Sequence, residues 1–89
     1  MRLLLAEDDD MLGSSMQTAL KLAGFQVDWV KDGAAVLSQV ADSHDALLLD
    51  LMLPDGDGLD LTRELRAHAR TRRLPLLMLT ARGEPTDRI

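Results

Sequence analysis

The sequence predicts an α/β fold, a doubly wound parallel sheet with helices on both of its faces. Short apolar runs alternate with helical patterns from Met1 onward. Most of those runs are apolar at successive positions, as in strands covered on both sides. One run instead alternates apolar with polar, which places it at an edge. With right-handed crossovers these features give the strand order 2-1-3-4.

The first strand is Arg2–Ala6, "RLLLA". Helical spacing follows, with Leu12, Met16, Ala19, Leu20 and Ala23 recurring along one stripe. Asp9 or Asp10 is the expected N-cap, and Gly24 suits the left-handed position that ends a helix. The alternating run is "FQVDWV", Phe25 to Val30, and the turn "KDG" leads from it into a short stripe of Val36, Leu37, Val40 and Ala41. Ala46–Asp50 is the third strand. Leu61, Leu65 and Ala69 mark a third helix that opens near Asp57 or Gly58. Pro75–Thr80, after Leu74, is the fourth strand, and "ARGEPTDRI" begins a further helix with Pro85 in its first turn.

Eighty-nine residues make one domain at most. A hydrophobic fraction of 46% with 28% charged residues belongs to a globular chain rather than a disordered one. Without cysteine, neither a disulfide nor a thiolate metal site can form. No apolar run reaches the roughly 18 residues of a membrane span, and "RLLLA" stops at "EDDD", unlike an export signal. A cytoplasmic protein with no membrane partner is the expectation. The net charge of −5 argues against free DNA as a ligand of this segment. Arg63, Arg66, Arg70, Arg72 and Arg73 cluster, and are read as the solvated face and C-terminal end of the third helix rather than an anion patch.

The carboxylates carry the chemistry. In an open parallel sheet, ligands bind beyond the carboxyl ends of the strands where the strand order reverses. That reversal lies between the first strand, ending in Glu7-Asp8, and the third, ending in Asp50. Three carboxylates converging there repel one another unless a hard cation sits among them, and Mg2+ suits an all-oxygen set. A carboxylate beside such a cation can attack phosphorus once the phosphoryl oxygens are neutralised. Asp9 and Asp10 are explained by capping, and Asp55 and Asp57 by the glycine-rich turn "PDGDG". Asp50 is not explained as a cap, because "LMLP" follows it and no helix does.

Other readings of the acidic residues fail on spacing. A calcium loop needs an Asp or Asn and then a Gly where this chain has Leu59 and Asp60. A phosphatase with an Asp nucleophile often carries a second Asp two positions on, where Met52 stands. His44 and His68 fall in no metal-ligand spacing and are read as surface histidines.

With Glu7-Asp8, Asp50, "LPDGDG" and "LTA" in place, the chain resembles the receiver domain of bacterial two-component response regulators. "LLLAEDD", "LLLDLMLPDGDGLDL" and "LLMLTARGEPTDRI" are most similar to the OmpR/PhoB-type transcription factors, and the likeness spans the whole chain. The resemblance implies a receiver-like (flavodoxin-like) fold and a phospho-acceptor rather than a turnover enzyme. Asp50 would take a phosphoryl group from the phosphohistidine of a sensor kinase. Glu7, Asp8, Asp50 and the Met52 backbone carbonyl would serve Mg2+, Thr80 would be the switch hydroxyl, and Ala81 would leave room for the phosphate.

The family pattern continues through a fourth helix, a fifth strand and a fifth helix, with a lysine before a proline and an aromatic switch residue. The expectation is one receiver domain, 1–89, cut within its fourth helix, with the fifth strand, last helix and DNA-binding domain absent. No catalytic lysine is expected in this chain, since Lys21 and Lys31 stand elsewhere. Dimerisation or exchange of elements between chains would accompany signalling, with DNA reached only through a further domain. Two alternatives stay open: a truncated or degenerate receiver serving only as an interaction and dimerisation module, and an Mg2+-dependent phosphatase using Asp50.

Overall fold

The computed structural model describes residues 1–50, 53–54 and 58–79. The elements run β1 (Arg2–Ala6), α1 (Asp10–Leu22), β2 (Gln26–Val30), α2 (Gly33–Gln39), β3 (Ala46–Asp50), α3 (Gly58–Ala67) and β4 (Leu76–Leu79). Among the described residues, four parallel strands form one sheet in the order β2-β1-β3-β4. Leu5 stands opposite Trp29 on one side and Leu48 on the other, so β1 is the interior strand at the point of reversal.

The continuous leucines of β1 and β3 are explained by a core on each face. Leu4, Ala6, Leu47 and Leu49 pack with Val36, Val40, Leu61 and Leu65 of the α2 and α3 side. Leu3, Leu5 and Leu48 point the other way and meet Met16, Leu20 and Trp29. Side chains alternate along a strand, so a strand sandwiched between helices must be apolar at every position. The chain moves outward from β1 to β2 and then back across β1 to β3. Right-handed crossovers therefore put α1 on the face opposite α2 and α3.

Helix ends follow local chemistry. The Asp9 side chain caps α1, its Oδ1 accepting from the amides of Met11 at 2.9 Å and Leu12 at 3.0 Å, while Asp10 is the first helical residue. At the other end Gly24 adopts φ 101°, a conformation that costs a residue with a Cβ. The amides of Gly24 and Phe25 donate back to the carbonyls of Lys21 and Leu20, a Schellman closure, and Phe25 joins Leu20 in the core. Asp32 caps α2 through the Ala35 amide at 2.7 Å.

Several expectations change in detail. Strand β2 begins at Gln26 and is described at the sheet edge, as its alternation predicts. Helix α3 ends at Ala67, so Ala69 is an exposed loop residue rather than part of its apolar stripe. Leu37 is 37% exposed, leaving Val36 and Val40 as the buried anchors of α2. His44 is buried at 6% exposure, not on the surface: its Nδ1 accepts from the Ala41 amide at 3.0 Å and its Nε2 meets Asp28 Oδ2 at 2.8 Å. Two of the arginines, Arg66 and the largely exposed Arg70, also reach backbone carbonyls. One Arg66 nitrogen donates to the carbonyls of Arg72 and Leu74, both at 2.7 Å, and Arg70 donates to the Val40 carbonyl at 2.7 Å. The expected helix after the fourth strand lies outside the described residues.

Candidate functional site

Strands β1 and β3 run side by side, with Ala6 paired to Leu49. The next residue of each strand is a carboxylate, Glu7 after β1 and Asp50 at the end of β3. Equal register therefore delivers both acids to the same height at the carboxyl edge of the sheet. Both are 2% exposed, whereas Asp8 is open to solvent. One carboxylate oxygen from each of Glu7, Asp8 and Asp50 lies within 4.8 Å of the others. The three acids singled out in the sequence thus come together.

The Glu7 carboxyl titrates above its ordinary value of 4.5. Burial is the main cause; the Asp9 amide, donating at 3.1 Å, works in the opposite direction, and the neighbouring charges of Asp50 and Asp8 add to the rise. The nearness of the Asp50 side chain thus favours the uncharged form of Glu7. Such a trio suits a hard divalent cation. The cation would relieve the repulsion, and carboxylate oxygens are the ligands that Mg2+ prefers. The donor set fits the ion on chemical grounds.

The backbone beneath the site is fixed by β2. The Glu7 amide donates to the Val30 carbonyl at 3.0 Å, and the Trp29 indole Nε1 donates to the Glu7 carbonyl at 2.8 Å. Lys31, which follows β2, pairs with Asp10 and stands 5.4 Å from the centre of the Trp29 ring. Lys21 lies in the last turn of α1. Sequence reasoning did not single out Trp29. Met52, Thr80 and Ala81, the remaining expected site residues, lie outside the described residues, as do Asp55 and Asp57.

The sequence model for the response regulator receiver domain matches residues 3–89. The chain belongs to this family. The receiver is 47% identical over 90 residues to the response regulator protein PmrA of Pseudomonas aeruginosa, an alignment covering 100% of this chain and 40% of PmrA. It is 42% identical to the transcriptional regulatory protein CpxR of Klebsiella pneumoniae, covering 99% of the chain and 37% of CpxR. The receiver therefore spans about two fifths of the length of these curated relatives, which are regulators of the OmpR/PhoB type. Among solved structures, the non-phosphorylated HemR receiver domain of Leptospira biflexa superposes with a TM-score of 0.85 at 34% identity, covering 98% of this chain and 69% of that one. The chemotaxis response regulator CheY4 of Vibrio cholerae gives 0.85 at 25% identity, covering 98% and 73%. The doubly wound sheet is thus that of receiver domains, and the chain is a module of phosphorylation-type signalling.

Proposed function

We propose that this receiver accepts a phosphoryl group on Asp50, with Mg2+ held at Glu7 and Asp8. The observation that carries the reading is the meeting of two buried carboxylates with an exposed third at the carboxyl edge of β1 and β3. In the transfer, an Asp50 carboxylate oxygen forms a bond to phosphorus. The bond from phosphorus to the donor breaks, its electron pair leaving with the imidazole nitrogen of a sensor kinase or with the carboxylate of a small acyl phosphate. Water later cleaves the aspartyl phosphate and regenerates the acid. A bound Mg2+ supplies positive charge against the phosphoryl oxygens. Glu7 and Asp8 bind that ion, and the Asp9 amide keeps the Glu7 carboxylate turned toward the site.

The finer assignments go with this reading. The Met52 carbonyl completes the oxygen set, the Thr80 hydroxyl moves to the phosphoryl group, and Ala81 leaves it space. In the whole regulator, phosphorylation governs dimerisation and DNA binding through a further domain, in the cytoplasm and opposite a sensor histidine kinase. Relatives that are named transcriptional regulators support this larger picture.

Acetyl phosphate and Mg2+ supplied to the chain test the reading by intact mass. The proposal expects one phosphoryl adduct that requires Mg2+ and is lost in Asp50→Asn. An adduct that persists in Asp50→Asn would sink the assignment, and continuous turnover of unrelated phosphate esters would favour a phosphatase instead.

A further inference from the structure

Trp29 is the chain's single tryptophan, and it sits one residue from the end of an edge strand. Its ring joins the core on the α1 side, yet its N–H has a separate task. Glu7 lies just past β1, and the Trp29 Nε1 supplies its carbonyl with a donor at 2.8 Å. The Glu7 amide is held from the other side by the Val30 carbonyl at 3.0 Å. Consecutive residues of β2 therefore grip both backbone groups of Glu7, one through a side chain and one through the main chain.

This grip reaches Asp8. A peptide is planar, so fixing the Glu7 carbonyl fixes the plane of the Glu7–Asp8 peptide and the direction in which the Asp8 Cα leaves it. Asp8 is exposed, so burial does not orient its side chain. The peptide plane sets where its Cα stands and so limits where its carboxylate can reach.

The indole is itself held on two sides. A Cβ built on Gly13 would lie 2.1 Å from Trp29 Cζ2 and 2.3 Å from Cε2, so the ring presses directly on the α1 backbone. The Lys31 ammonium stands 5.4 Å from the ring centre and is anchored by Asp10 in the first turn of the same helix.

We infer that Trp29 is a positioning residue for the cation site, orienting Asp8 through the Glu7–Asp8 peptide, and that its indole reports when the site is filled. The inference rests on reading Glu7, Asp8 and Asp50 as an Mg2+ site. A purely structural ring needs its shape alone, whereas a positioning residue needs the N–H.

Replacing Trp29 with β-(3-benzothienyl)alanine separates the two, since sulfur takes the place of the N–H and the bicyclic shape is kept. Trp29→Phe is the simpler companion. Calorimetric titration of the full chain with Mg2+ should show the dissociation constant rising about fivefold to tenfold in the isostere, with the fold intact by circular dichroism. In the wild type, Mg2+ should change the Trp29 fluorescence saturably at the calorimetric affinity, and Asp8→Asn should remove that change. Unaltered Mg2+ affinity in the isostere, with wild-type binding intact, overturns the positioning role. A wild-type chain that binds no Mg2+ overturns the site reading itself, and this inference with it.

Discussion

His44 Nε2 meets Asp28 Oδ2 at 2.8 Å, at the end of the sheet remote from the acidic trio. The Ala41 amide donates to His44 Nδ1, so the ring's proton sits on Nε2 and points at Asp28. Arg2 reaches the same carboxylate oxygen at 2.8 Å, and its backbone amide donates to Asp45 at 2.7 Å. One carboxylate on β2 thus binds the start of β1 to the loop before β3.

A pH dependence follows. The His44 hydrogen bond, with help from Arg2, holds the Asp28 carboxyl below its ordinary value of 3.8. A carboxyl depressed in the folded state adds stability above its unfolded value and loses it as pH falls through the folded one. Asp28 therefore contributes its full share above about pH 4, and that share fades below pH 3.8. Because the Asp28 side chain is 41% exposed, solvent screening keeps the contribution small. Acid denaturation of wild type and Asp28→Asn should converge in that window, while differing at neutral pH.

His44→Ala carries a larger penalty than Asp28→Asn. It empties a buried site and leaves the Ala41 amide without its acceptor, at a cost of about 1–3 kcal/mol. Urea unfolding measures it. A loss under about 0.5 kcal/mol would mean that the imidazole is a surface group after all.

At Gly13 two effects oppose each other. Alanine in mid-helix normally improves stability by about 1 kcal/mol over glycine. Here the new Cβ would stand 2.1 Å from the Trp29 ring, which cannot yield without leaving its place. The clash should win, so Gly13→Ala is expected to destabilise the fold by about 1–3 kcal/mol. A thermal melt decides the sign.

The buried acids of the trio crowd like charges together. Asp50→Asn removes one of two buried, adjacent acids, so it should raise stability in Mg2+-free buffer by about 1–2 kcal/mol. The same variant should gain less than wild type from added Mg2+. Saturating ion at about a hundredfold over its dissociation constant is worth about 2.7 kcal/mol to a protein that binds it only when folded. Paired melts with and without Mg2+ check both halves.

Arg66 closes the loop after α3. It donates to the carbonyls of Arg72 and Leu74, and more weakly to that of Thr71 at 3.3 Å. Arg66→Ala should cost about 1–2 kcal/mol, with Arg66→Lys recovering only part, because the ammonium stands one bond short of the terminal guanidinium nitrogen that makes these contacts. Chemical denaturation of the two variants tests this.

The acidic site was legible in the sequence because topology alone locates it. Continuous leucines mark β1 and β3 as interior strands, and parallel pairing then brings Glu7 and Asp50 to the same edge. His44 was misread because its side-chain partner comes from distant chain: Asp28 is sixteen residues away, and no local pattern announces such a contact. The carbonyl contacts of Arg66 and Arg70 were not legible, because a helix-face pattern says nothing of main chain brought near it from elsewhere. Trp29 had a signal that could have been used. A glycine inside the α1 stripe is costly unless something large needs the space, and the lone tryptophan lies on the next strand.

Asp50 is the proposed phospho-acceptor. The most direct test is borohydride trapping of the chain after incubation with acetyl phosphate and Mg2+, which converts an aspartyl phosphate to homoserine and is mapped by peptide mass spectrometry. Homoserine at position 50 alone is the expected result. Homoserine at position 8, or none at any aspartate while an adduct is present in the intact chain, would contradict it.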